Sequence, residues 1–171
     1  MAPLKRGPTY DREGRRFSGA AGTSVVAGAF LLACPFLVSS TTARYMAAPV
    51  WLGFIFLLDP INAWLGGESL WDDLRASRRE RLINLSLSGV LCGVLWEFWN
   101  YWSRAKWHYT VPIMEELKIF EMPLPGYFGF PAFALECFTM YVFVRAIARR
   151  IIPNLAQQFR YSIAGTSLWR H

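Results

Sequence analysis

LINLSLSGVLCGVLWEFWNY, residues 82–101, reads as a membrane helix with one carboxyl, Glu97, inside it. Its length matches the roughly 20 predominantly apolar residues that a helix needs to cross a bilayer core. A carboxyl inside such a span is costly and marks a functional suspect. Glu97 is set among Trp96, Phe98, Trp99 and Trp102, so the stretch raises both the fold and the question of what the carboxyl does.

Outward from this segment the same pattern recurs. The 171 residues are 54% hydrophobic and 16% aromatic. Their charges gather around positions 5–16, 68–81, 104–121 and 145–170. Apolar runs separated by charged clusters are the mark of a polytopic membrane protein. Four spans are predicted, at about residues 17–38, 45–65, 82–101 and 128–147. The expected fold is an all-α integral membrane bundle, with a basic arm over residues 1–16, a transmembrane domain over 17–147 and a basic, aromatic tail over 148–171. The first span is rich in Gly, Ala, Ser and Thr, which suits close helix packing in lipid. Leu31-Leu32-Ala33-Cys34 behind the basic arm is similar to a lipoprotein processing box, but that arm is long for a signal peptide, so an uncleaved span is expected. In the second span Asp59-Pro60 predicts a helix end or kink, with Asp59 capping the next segment. Residues 68–81 show helical spacing of Leu70 and Leu74 and read either as an interfacial helix or as an ordinary positive loop. Residues 120–133 hold three prolines and two glycines and predict an ordered, non-helical loop leading into the fourth span.

Basic residues alternate with the spans. The arm, the 66–81 connection and the tail are Arg-rich, and the other two connections hold only Arg44, Arg104, Lys106 and Lys118. The positive-inside rule then predicts both termini in the cytoplasm. The net charge of +6 is explained by anionic headgroups, without nucleic acid. Cys34, Cys92 and Cys137 lie in apolar runs without CxxC spacing, and read as small buried residues. With His108 the single internal histidine, bis-histidine haem, a Glu-x-x-His di-iron site and a Cys/His zinc site are unsupported, so no metal or obligatory cofactor is expected.

Glu97 and Glu136 are the candidate acids, with His108 as a candidate proton-transfer group. Each glutamate reads alternatively as a helix tie, bonded to Asn100, Tyr101, Arg104, Tyr141 or Arg145. Trp96, Trp99, Tyr101, Trp102, Trp107, Tyr109, Phe128 and Phe130 are the candidate ligand-lining aromatics. His108 reads alternatively as an interfacial hydrogen-bonding group.

The runs WEFWNYW (96–102), WHYTVP (107–112) and GFPAFALE (129–136) resemble a group of bacterial integral membrane proteins. More distantly they are similar to carotenoid hydratases of the bisanhydrobacterioruberin type and to the small lycopene cyclases. The resemblance covers residues 96–141. The cyclases' Pro-x-Glu-Glu element has its nearest counterpart in Pro112-Ile113-Met114-Glu115-Glu116, one residue longer. The resemblance implies a carotenoid, quinone or lipid ligand. It also implies chemistry that begins by protonating a polyene, which needs an acid in a dry pocket and aromatic faces for the cation. Two functions are expected: an accessory subunit of a larger membrane assembly that contacts lipids and other subunits, or an isoprenoid-protonating enzyme. A proton or solute path is a third, disfavoured by the lack of repeats or paired broken helices.

Overall fold

Small residues decide how the first two long helices meet. The computed structural model describes residues 19–109, 114 and 116–151. Helix α1 (Gly19–Leu37) and helix α3 (Ala47–Trp64) are joined through the single-turn α2 (Ser40–Ala43), capped by Ser39. They run antiparallel and close together: a Cβ on Gly28 would strike the backbone of Leu57, and Ser24 Oγ donates to the Phe56 carbonyl at 2.9 Å. Only glycine permits that approach of two backbones.

Helix α3 continues through Pro60 to Trp64, so the helix does not end at Asp59-Pro60. It stops instead in a Schellman turn. Gly66 has φ +77°, Gly67 N donates to Asn62 O at 2.8 Å and Gly66 N to Ala63 O at 3.1 Å. The capping role expected of Asp59 is present. Its carboxylate accepts from Ser69 Oγ (2.7 Å), Leu70 N (2.7 Å) and Trp71 N (3.0 Å), and so starts the short helix α4 (Leu70–Arg75). Those orphan amides and the carboxylate satisfy one another. Residues 68–79 thus contain one helix of six residues, which buries Leu70 while Trp71 stays half exposed.

Helix α5 (Glu80–Trp102) and helix α6 (Gly129–Ile151) complete the set. Four helical segments are long and apolar enough to cross a membrane. They match the four predicted spans to within a few residues, the largest difference being α6, which runs on to Ile151. The stretch before α6 is a two-residue hairpin, β1 (Lys118–Ile119) against β2 (Met122–Pro123), and then a 3-10 helix, Leu124–Phe128. The predicted non-helical loop is therefore partly helical, because Gly129 and Pro131 fit the first turn of α6.

The long helices form a row, α1–α3–α6–α5. No other pair of them packs along its length, so the expected bundle is open. Helix α6 lies parallel to α3: Gly129 meets Trp51, Asn62 Nδ2 donates to Thr139 O at 2.9 Å, and Gly67 meets Val142. It lies antiparallel to α5, with Phe130 against Gly93, Ala134 against Gly89, and Arg81 over the Phe138 ring. The Gly19 end of α1, α4 and the Ile151 end of α6 therefore share one end of the row.

Burial is inverted relative to a protein folded in water. Among the described residues the buried apolar side chains are Leu70, Met122, Val142 and the prolines Pro60 and Pro123, whereas eight polar or charged residues are buried, among them Asp59, Asn62, Glu97, Glu136 and Thr139. Apolar side chains face outward along all four helices. Lipid imposes this arrangement, since it rewards exposed apolar surface and penalises unpaired polar groups. The chain is a membrane protein on this ground. The basic arm (1–16), the segment 110–113, Glu115 and the tail beyond Ile151 lie outside the described residues.

Candidate functional site around Glu97

One face of α5 carries Gly89, Gly93, Glu97 and Asn100, all buried. Three- and four-residue steps keep them in line. Gly89 and Gly93 let α6 come flush: a Cβ on Gly89 would lie 2.9 Å from the Ala134 methyl, and one on Gly93 would enter the Phe130 ring. One turn further, the same face presents Glu97, whose side chain has no solvent exposure.

The chain after α5 folds back over this carboxyl. Asn100 clamps the turn twice, donating from Nδ2 to Trp107 O at 2.9 Å and accepting from Trp107 N at 2.6 Å. That delivers Tyr109, whose hydroxyl donates to Glu97 Oε1. Glu97 Oε2 is buried without a hydrogen-bond partner. Tyr127, from the 3-10 helix, contributes the next ring, at 5.8 Å from Phe130, and its hydroxyl donates to Ile119 O at 2.9 Å. Burial, the hydrogen bond to Glu97 and the charge of Glu97 all push the Tyr109 phenol above its usual range, against a smaller opposing pull from the Trp96 indole.

The structure disperses the predicted site residues. Glu97 and Tyr109 meet, the mostly exposed Trp96 bonds Tyr109, and Phe130 lies beside them against Gly93 and Tyr127. Trp99 and Trp102 stand apart, each being 70% exposed. At about 100° per residue both lie on the side of α5 away from Glu97, so the expected wall of tryptophan is a rim that faces lipid. Trp107 and Phe128 also point outward. Tyr101 belongs to a separate cluster, 5.6 Å from Phe120 and under Lys106 Nζ at 4.6 Å.

His108 is not part of the Glu97 site. It is largely exposed, with Nδ1 3.5 Å from Glu121 Oε2, while Lys106 Nζ holds Glu121 Oε1 at 2.9 Å. The Lys106 bond above all keeps the Glu121 carboxyl below its usual range. Glu116 is exposed. The expected ties of Glu97 to Asn100 and Arg104 are replaced by Tyr109, and Arg145 pairs with Glu68, fixing α6 to the α3–α4 connection.

Glu136 is buried on the α6 face toward α3, and its Oε2 has no hydrogen-bond partner. The contacts of Gly93 with Phe130 set the register, and at 1.5 Å per residue the two glutamates lie about 15 Å apart along the helix axes. They do not form one acid pair. Among the described residues no group of His, Cys, Asp and Glu has a metal-binding arrangement. Sequence reasoning missed Tyr127 and Glu121, since each reaches its partner only through the hairpin and the 3-10 turn. No family model matches the chain, and neither a curated protein nor a solved structure gives a match.

Proposed function

We propose that the chain is a scaffolding or accessory subunit of a larger membrane assembly, and that its aromatic rim contacts a carotenoid, quinone or lipid. The open row carries this reading. Among the described residues, the row of four helices has two apolar faces and two edge helices, α1 and α5, and does not close around a common interior. The residues a catalytic site would need are dispersed, with Glu136 remote from Glu97 and His108 on the surface. Flat faces rich in apolar side chains suit lateral contact with other spans, where packing and small residues drive association. The basic end of the row, with Arg75, Arg78, Arg79, Arg81, Arg149 and Arg150, is assigned to the cytoplasm by the positive-inside rule.

A second reading, protonation of an isoprenoid double bond, draws on one observation: Glu97 is fully buried, with one oxygen held by Tyr109 and the other unpartnered. An acid with one oxygen positioned and one available has the form such chemistry requires.

Native mass spectrometry of the protein taken from its own membranes in mild detergent, with extraction of bound lipids and pigments, separates the two. A reproducible set of partner chains is expected. A lone chain that carries an isoprenoid, and whose product formation stops in Glu97→Gln while the fold persists, would replace the subunit reading with the enzymatic one.

A further inference from the structure

At the basic end of the row, α1, α3 and α4 enclose a groove of about 500 Å³, within the roughly 300–1,000 Å³ typical of small-ligand sites. Its walls include Ala20, Ser24 and Ala27 of α1, Phe56 of α3, and Leu70 and Trp71 of α4. The polar groups in these walls are spent on the protein itself. Ser24 Oγ bonds the Phe56 carbonyl (2.9 Å), Thr23 Oγ1 bonds the Gly19 carbonyl (3.0 Å), and the Asp59 carboxylate takes Ser69, Leu70 and Trp71. A guest therefore meets hydrocarbon, and a polar solute would lose its hydrogen bonds to water without replacement. Two of the three walls are membrane spans and the third is the connection at their end, so the groove runs from the lipid interior to headgroup level.

Charge at the mouth narrows the guest further. The Arg75 guanidinium lies 5.2 Å from the centroid of the Trp71 ring, which holds a cation over the groove's rim. Asp73 is engaged by Arg78 at 2.9 Å and by Arg81 at 2.7 Å. We propose that this groove binds one acyl chain of an anionic phospholipid, with the phosphate seated at Arg75. The site lies at the opposite end of the row from Glu97 and does not rest on the assembly reading.

The test uses the full chain with a photoreactive amino acid in place of the groove residue Leu74, in vesicles of equal phosphatidylglycerol and phosphatidylcholine. Adducts are weighed after irradiation. Phosphatidylglycerol adducts are expected to exceed phosphatidylcholine adducts about fivefold, the worth of one basic residue against an anionic lipid. Arg75→Gln should bring that ratio near one while adducts still form, and Arg75→Lys should preserve it. Ala27→Phe, at an exposed position facing the groove, should lower adducts with both lipids. An even ratio in the unsubstituted chain, or one that Arg75→Gln leaves unmoved, overturns the proposal. Adducts to residues 1–18 of the same chain, or to a second copy, in place of lipid would do so as well.

Discussion

At the scale of single residues, the contact between Tyr109 and Glu97 has the most to lose. Tyr109→Phe removes the donor and leaves a buried carboxyl oxygen bare, a change worth about 1–3 kcal/mol. Thermal unfolding in detergent should show a lowered midpoint for this variant, and an unchanged midpoint would mean that water replaces the phenol. The same bond has a pH signature. The folded-state pKa of Tyr109 is raised, so its contribution to stability is complete below the ordinary tyrosine value of about 10 and is lost as pH rises beyond it. Phenolate absorbance from Tyr109, taken as the difference between the intact chain and Tyr109→Phe, should appear only well above that pH. Glu121 works in the opposite direction. Its lowered pKa means that the Lys106 and His108 contacts stabilise the hairpin above the ordinary glutamate value of about 4.3 and are lost as pH falls through the lower, folded-state value. Acid titration of the hairpin's amide exchange should follow that order.

At the scale of elements, two backbone features carry predictions. Gly93 permits the approach of α5 and α6, and overpacking of this kind costs about 1–3 kcal/mol. Gly93→Ala should therefore lower stability and loosen Tyr127 and Phe130, while an outward substitution such as Val94→Ala should matter little. Ser77 has φ +57° at the end of α4, where Arg78 N bonds Asp73 O at 2.8 Å. A left-handed residue other than glycine costs roughly 1–2 kcal/mol, partly offset by glycine's flexibility when unfolded, so Ser77→Gly should raise the unfolding midpoint slightly. The spans were legible from sequence because hydropathy over some 20 residues reports directly on lipid. The capping role of Asp59 was legible as well, since a carboxylate in an apolar span needs donors and the orphan amides of a following helix supply them, although it caps α4 from within α3 and not from a helix end. The continuation through Pro60 was not. Packing of α3 on both α1 and α6 holds a helix that the proline alone would weaken. Nor was the partner of Glu97 legible, because the Asn100 clamp that brings Tyr109 back depends on a turn without a spacing signature.

At the scale of the whole molecule, the order α1–α3–α6–α5 explains why the edge helices are the vulnerable ones. Among the described residues helix α1 is held along its length by α3, and Gly28 is a point of close approach. Gly28→Leu should separate α1 from α3 while the α3–α6–α5 portion persists. Cysteines placed at positions 24 and 56 should then no longer form a cross-link. Which faces adjoin was hidden in the sequence, because four apolar spans satisfy the bilayer equally well in a row or in a closed bundle. The glycines at 28, 53, 89 and 93 mark close approaches, but they do not name the helix that approaches.

The parallel seam between α3 and α6 has a consequence for how the protein is made. Asn62 Nδ2 finds its acceptor in Thr139, 77 residues later in the chain, and Glu68 waits as long for Arg145. During synthesis α1 and α3 can pair as soon as both are made, but the polar side of α3 stays open to lipid until α6 is in place beside it. Without α6 the Asn62 amide loses its acceptor in Thr139, so a chain truncated before α6 would leave that polar group facing the bilayer.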